Sequence, residues 1–147
     1  GHGFAAIDAM LEIVRNETID PKEVDQIQVG TYETAIKVTG DWDPGTAYEA
    51  QFSLPYVVSI ALVRRAGCRF EAFDKNWLTN STVRELMQKV NLEVDPEAEA
   101  AFPLKRGAIV SVKTKGGRVH SARRKTRKGD PDDPLSMSEL TEINLCK

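Results

Sequence analysis

The start of the chain carries hydrophobic side chains at helical spacing. The apolar positions recur every three or four residues, at Phe4, Ile7, Leu11 and Val14. This stripe predicts a helix over residues 4–16 with one buried face. Apolar and polar residues then alternate, which predicts a half-buried strand over residues 24–32. Residues 33–39 are ambiguous, and an extended continuation of that strand is one interpretation.

A nearly continuous apolar stretch, residues 57–66, predicts a second and more deeply buried helix. Ser53 stands where its side chain can cap the first turn. Pro55 suits that first turn because its fixed φ is already helical. Gly67 follows the stretch, as glycine often does at a helix end.

Two further helix starts are indicated by capping-box spacing. Thr82 with Glu85 predicts a helix in the middle of the chain, and Ser136 with Glu139 predicts a short C-terminal one. The aromatic segment 70–78 lies between the apolar helix and the helix predicted at Thr82. We interpret it as a loop with one helical turn.

The second half of the chain contains strand patterns. Leu92 and Val94 predict a short strand that ends before Pro96. Residues 107–114 predict another, with Val110 and Val112 on one face. Gly116 and Gly117 then predict a two-residue hairpin turn, since both tolerate positive φ. Residues 118–127 would form the return strand.

This order of elements predicts an α+β fold. We expect a two-layer domain with about four strands in a mostly antiparallel sheet, helices packed on one face, and a C-terminal β-hairpin. The 147 residues and 41% hydrophobic content suit one domain over residues 1–147. A net charge of −2 gives no general attraction to nucleic acid or anionic membranes.

Composition also narrows the chemistry. Cys68 and Cys146 are far apart and fit reduced thiols, so we expect a cytoplasmic protein. Only two histidines occur, which disfavours Cys/His zinc sites. No apolar run is long enough for a transmembrane helix. Composition therefore predicts no Cys/His zinc site and no membrane contact, and we assign no metal and no cofactor to the chain.

Three segments resemble the C-terminal domain of the MmgE/PrpD family, which includes 2-methylcitrate dehydratase and cis-aconitate decarboxylase. They are residues 49–56 with the following helix, residues 83–95, and residues 110–118 with 128–136. The resemblance implies a lid that closes on a large helical N-terminal domain, which is missing from these residues. It also implies small polycarboxylate substrates and metal-free dehydration, decarboxylation or epimerisation. Because the chain lacks an obvious acid–base pair, we expect it to be inactive alone.

The resemblance places three candidate site residues around the second helix. Tyr56 stands where relatives keep an active-site tyrosine, whose phenol can donate to a carboxylate or relay a proton. The alternative is a tyrosine buried in helix packing. Gln51 and Ser53 flank a loop that faces the cleft in relatives and are assigned to substrate binding. The alternative for Ser53 is the helix cap.

His2 is the remaining catalytic candidate. It lies six residues before Asp8, and methylcitrate dehydratases carry an active-site histidine at this offset. Other relatives place that histidine four residues before the acid, where this chain has Phe4. A terminal histidine with no catalytic role is the alternative.

The hairpin region is strongly basic. Its cations are Lys113, Lys115, Arg118, Arg123, Arg124, Lys125, Arg127 and Lys128, with no acidic residue from 100 to 128. They could steer an anionic substrate or form a solvated, protected edge strand. Nucleic acid is an unfavoured partner, because no aromatic residues are interleaved with the cations. The other function we weigh is a stand-alone binding or assembly module. It would hold a partner protein or an anionic ligand with its cleft-facing surface and the basic hairpin, and we expect it to self-associate through exposed apolar surface.

Overall fold

The computed structural model describes residues 2–67 and 70–126. Seven α-helices and four strands lie in this part of the chain, together with two short 3-10 helices at Pro21–Glu23 and Phe70–Phe73. The helices are α1 (Phe4–Asn16), α2 (Glu33–Thr39), α3 (Ala47–Gln51), α4 (Leu54–Arg64), α5 (Lys75–Leu78), α6 (Ser81–Met87) and α7 (Pro96–Ala101). The strands are β1 (Val24–Thr31), β2 (Val90–Val94), β3 (Ala108–Thr114) and β4 (Val119–Arg124).

The four strands form one mixed sheet in the order β2-β1-β3-β4. β1 pairs in parallel with β2, and the β1–β3 and β3–β4 pairs are antiparallel. The parallel pair needs a crossover connection, which α2 to α6 provide. The predicted α+β class, the mostly antiparallel sheet and the hairpin are confirmed.

One face of the sheet is covered by helices. Ile27 pairs with Val112 and Val29 with Val110, and all four side chains are buried. Helix α1 lies against β3, β4 and α4, while α4 also contacts α6 and β2. The opposite face is polar: Gln28 of β1 accepts a hydrogen bond from Asn91 of β2 at 3.1 Å. Alternation along each strand separates these faces.

Helix α4 begins as the sequence indicates but ends earlier. Ser53 occupies its N-cap and Pro55 its first turn. The helix stops at Arg64, because Arg65 adopts a left-handed conformation with φ 55°. Arg65 then donates to the carbonyls of Val14 and Glu17 at the end of α1. The predicted extension to residue 66 is therefore wrong: the left-handed backbone of Arg65, and not Gly67, ends the helix.

The prediction of extended structure for residues 33–39 is also wrong. They form α2, whose first turn is stabilised from outside: Glu99 of α7 accepts from the backbone N–H of Glu33 at 2.7 Å. Lys37 pairs with Glu33 across one turn at 3.1 Å. β-Branched residues obscure the helical pattern here, and the cap from a distant element leaves no local signal.

Two smaller predictions need correction. Asn80 caps α6 by accepting from the backbone N–H of Val83 at 3.0 Å, so Thr82 lies inside the helix and forms no capping box. The hairpin turn has three residues, since Thr114 and Arg118 close it by a backbone hydrogen bond of 2.8 Å. Only Gly117 takes positive φ, at 88°.

The predicted helix at Ser136 and Glu139 lies outside the described residues. Helix α7 was not predicted, because its small and acidic residues carry no apolar stripe. Among the described residues, none of the helices has both the length and the hydropathy to cross a membrane.

Candidate functional site

His2 lies immediately before α1 and contacts the end of β1. Its Nδ1 atom is 2.6 Å from the hydroxyl oxygen of Tyr32, and the two rings meet edge to face with centroids 5.6 Å apart. Tyr32 follows the last residue of β1 and is fully buried. The strand therefore fixes the partner of the first histidine in the chain.

A second ring holds Tyr32 in place. Phe102, just after α7, stacks on it with centroids 4.2 Å apart and planes inclined by 13°. Thr31 ties the same region together, because its hydroxyl donates to the carbonyl of Gly107 at 2.9 Å. Residues far apart in sequence thus converge at the end of β1.

The start of α1 also lies against the start of α4. A Cβ atom added to Gly3 would lie 3.6 Å from Cγ2 of Val57 and 3.7 Å from Cδ1 of Leu54. His2 is therefore brought to the N-terminal turn of the helix that carries Tyr56. The sequence separation of about fifty residues hides this proximity.

Ser53 is fully buried and uses its hydroxyl twice. The oxygen accepts from the backbone N–H of Tyr56 at 3.2 Å, and the hydroxyl donates to the carbonyl of Asp41. The predicted cap is confirmed, and it also fixes the loop that precedes α3. Contact between Ser53 and a substrate stays a prediction.

Tyr56 is buried within the core. Its hydroxyl donates to the carbonyl of Ala72, and its ring lies 6.0 Å from that of Phe73. This geometry anchors the 3-10 helix Phe70–Phe73 to α4. A phenol proton already donated to a backbone carbonyl must change partner before it can reach a substrate, so the catalytic role of Tyr56 stays a prediction.

Gln51 is exposed at the end of α3, beside two exposed aromatic rings. Tyr48 and Phe52 lie with centroids 5.1 Å apart and are 72% and 46% exposed. Trp42, next to the Asp41 carbonyl that Ser53 holds, is also exposed. We call the neighbouring rings of Tyr48 and Phe52 the aromatic patch.

A charged cluster lies on the polar face of the sheet. Arg123 of β4 binds both carboxylate oxygens of Asp95, at 2.7 and 3.1 Å, and contacts Glu97 at 2.8 Å. Asp95 also caps α7 by accepting from the backbone N–H of Ala98 at 3.0 Å. The hydrogen bonds from Arg123 are the main cause that lowers the pKa of Asp95, and burial opposes them. The same pairing raises the pKa of Arg123.

The geometry can be compared with known families. A family model for the MmgE/PrpD C-terminal domain matches residues 1–142. The chain belongs to the MmgE/PrpD family. A search of curated proteins gave no match.

In this MmgE/PrpD domain the basic hairpin is less cationic than its sequence suggests. Arg123 is neutralised by Asp95 and Glu97, two acids that precede the basic segment. Lys113 and Lys115 remain exposed near the turn. Arg127 and Lys128 lie outside the described residues. The acid-free run from 100 to 128 is thus a property of the sequence and not of the folded surface.

Sequence reasoning missed two groups at the site. The sequence pattern indicates only that Tyr32 belongs to a strand and that Asp95 lies at the end of one. The signal for Asp95 was present, since Asp followed by Pro is a common helix start. Tyr32 carried no local signal, because its role depends on His2 and Phe102.

Proposed function

We propose that this domain is the lid of a lyase or isomerase that acts on a citrate-like polycarboxylate. The active site would be completed by a helical N-terminal domain. The chemistry would be metal-free acid–base catalysis, giving dehydration, decarboxylation or epimerisation. Membership of the family supports the proposal most directly.

At the level of individual residues, the proposal is supported by the contact between the start of α1 and the start of α4. His2 and the N-terminal turn of α4 come from distant segments and meet through Gly3. An imidazole can transfer protons near neutral pH and can bind a carboxylate. Gln51, two residues before the cap of α4, offers an exposed amide with two donors and an acceptor.

Each candidate residue has a defined part in this proposal. His2 is the acid–base group of the lid, and Gln51 binds a substrate carboxylate. Ser53 holds the loop that precedes α3 through the carbonyl of Asp41 and lines the substrate site. Tyr56 anchors α4 and supplies its phenol to the reaction when the two domains close.

Site variants in the enzyme reconstituted with its helical domain test these roles. We expect His2→Gln to lower kcat by about 10²- to 10⁴-fold, the usual range for an acid–base group. Gln51→Ala should mainly raise KM, because it removes a binding contact. Gln88→Ala, at an exposed glutamine after α6, is the matched control and should change neither. An unaltered kcat in His2→Gln would contradict the role of His2.

The aromatic patch supports a second candidate, a stand-alone binding or assembly module. Exposed aromatic rings are enriched at protein interfaces. On this hypothesis the chain self-associates through the patch without catalysing a reaction. Sedimentation velocity at several concentrations distinguishes the cases: association that Phe52→Ser weakens favours the module, while a monomer at all concentrations contradicts it.

A further inference from the structure

Arg84 of α6 binds backbone carbonyls in two separate parts of the chain. Its Nε atom donates to the carbonyl of Leu78, the last residue of α5, at 2.7 Å. Its Nη2 atom donates to the carbonyl of Pro44 at 2.6 Å, and its Nη1 atom donates to the carboxylate of Asp43 at 3.3 Å. The guanidinium therefore joins the end of α5 to the loop that precedes α3.

The same loop is held a second time, from the start of α4. The hydroxyl of Ser53 donates to the carbonyl of Asp41, so residues 41–53 form a closed segment that contains the whole of α3. Arg84 binds inside this closed segment, two residues before the N-cap of α3. Helix α3 is thus held near both of its ends, and Gln51 is its last residue.

We propose that Arg84 is a positioning residue, which fixes the closed segment and through it the place of Gln51. Arg84 does not contact substrate in this proposal but acts through α3. The catalytic meaning rests on the proposed function, in which Gln51 binds a substrate carboxylate. The restraint itself rests on hydrogen bonds within this chain.

The two carbonyl bonds, and not the ion pair, carry the restraint. The side chain of Asp43 is 99% exposed, so water screens its pairing with Arg84. The side chain of Arg84 is only 28% exposed, and its bonds to Leu78 and Pro44 are partly buried. The carbonyl of Leu78 also lies at a helix end, where carbonyls have no partner within the helix.

The arrangement requires an arginine and not only a positive charge. A guanidinium is planar and presents its N–H donors in fixed directions, whereas a lysine ammonium is a point charge on a flexible stem. Here different nitrogens of Arg84 reach the carbonyls of Leu78 and Pro44 at the same time. Lysine at this position would keep the charge but would lose the fork that joins the two carbonyls.

Hydrogen exchange measured by mass spectrometry tests the restraint on the chain as it stands. Peptides from residues 41–53 report the closed segment, and peptides from α1 report the rest of the fold. In Arg84→Ala and Arg84→Lys, we expect exchange over residues 41–53 to quicken by about tenfold, the factor given by the net free energy of one or two hydrogen bonds. Exchange over α1 should change less.

Asp43→Ala is the matched control for the two Arg84 variants. It removes the exposed ion pair but keeps both carbonyl bonds, so residues 41–53 should exchange at the wild-type rate. The inference would be overturned by wild-type exchange in either Arg84 variant, or by equal acceleration over the closed segment and α1. If Arg84→Ala fails to fold, Arg84→Lys decides, because it keeps the charge and the aliphatic stem.

Kinetics of the enzyme reconstituted with its helical domain test what the restraint does. A residue that places Gln51 should, when changed to lysine, raise KM more than it lowers kcat. In a Gln51→Ala background, Arg84→Lys should raise KM little further, because both changes remove the same contact. A merely structural Arg84 would reduce the amount of active enzyme, which lowers kcat and leaves KM unchanged.

The two experiments separate the inference from the proposed function. Faster exchange over residues 41–53 in an enzyme whose KM ignores Gln51→Ala would refute the role of Gln51 and keep the restraint. Unaltered exchange in Arg84→Lys, in an enzyme that does need Gln51, would overturn the inference and keep the proposed function.

Discussion

Replacing Asp95 with alanine should destabilise the domain more than the loss of any single surface ion pair would. Asp95 caps α7 and binds Arg123 through both oxygens. Loss of an N-cap costs about 1 kcal/mol. Loss of hydrogen bonds to a charged group costs about 1.5–3 kcal/mol.

Two facts make the expected loss of unfolding free energy smaller than the sum of the upper values for the N-cap and the charged hydrogen bonds. The side chain of Asp95 is 13% exposed and that of Arg123 30%, so water partly screens the pair. Arg123 also retains Glu97 at 2.8 Å after the substitution. We therefore expect Asp95→Ala to lower the free energy of unfolding by about 2–3 kcal/mol.

Urea unfolding of Asp95→Ala, Arg123→Ala and the double variant measures the pair separately from the cap. We expect a coupling free energy of about 1–2 kcal/mol, within the usual range for contacting residues. Asp43→Ala is the matched control, because Asp43 also pairs with an arginine but its side chain is 99% exposed. It should cause no resolvable change. Zero coupling between Asp95 and Arg123, or equal effects of Asp43→Ala and Asp95→Ala, would refute this reasoning.

Three further predictions follow from single groups. Arg123 lowers the pKa of Asp95, so the ionised Asp95 stabilises the fold above its unfolded pKa of about 3.9, and this stabilisation is lost as pH falls through the lower folded pKa. Urea unfolding at pH 7 and pH 3 should therefore show that the free energy of unfolding falls less on acidification in Arg123→Ala than in wild type. Tyr56→Phe should cost about 1–2 kcal/mol because it leaves the carbonyl of Ala72 without this donor, and an unchanged unfolding midpoint would contradict the buried hydrogen bond. Gly117→Ala should cost about 1 kcal/mol through its positive φ of 88°, whereas Gly116→Ala should have little effect; equal costs would contradict the three-residue turn.

The elements with local signals could be predicted from the sequence. The apolar stripe of α1, the cap and proline of α4, and the alternation of β3 each depend on a few neighbouring residues. Helix α2 could not be predicted, because Glu99 stabilises its first turn from another element. The same limit applies to the end of α4, where Arg65 reaches the carbonyls of α1.

In the candidate site, too, contacts between near neighbours could be predicted and contacts between distant residues could not. Ser53 could be predicted as a cap because its partner is three residues away. The pairing of His2 with Tyr32 joins residues thirty positions apart, and the neutralisation of Arg123 by Asp95 joins residues twenty-eight apart. Such contacts depend on the folded sheet, so only the resemblance could draw attention to His2.

The central claim, that this domain completes the active site of a polycarboxylate lyase or isomerase, is tested most directly by reconstitution. Turnover of 2-methylcitrate and cis-aconitate should be measured for the chain alone and with increasing amounts of a helical MmgE/PrpD N-terminal domain. We predict no turnover by either part alone and saturable turnover when both are present. Turnover by the chain alone would contradict the account. So would the absence of turnover on every member of a panel of small polycarboxylates by a complex that sedimentation shows to form.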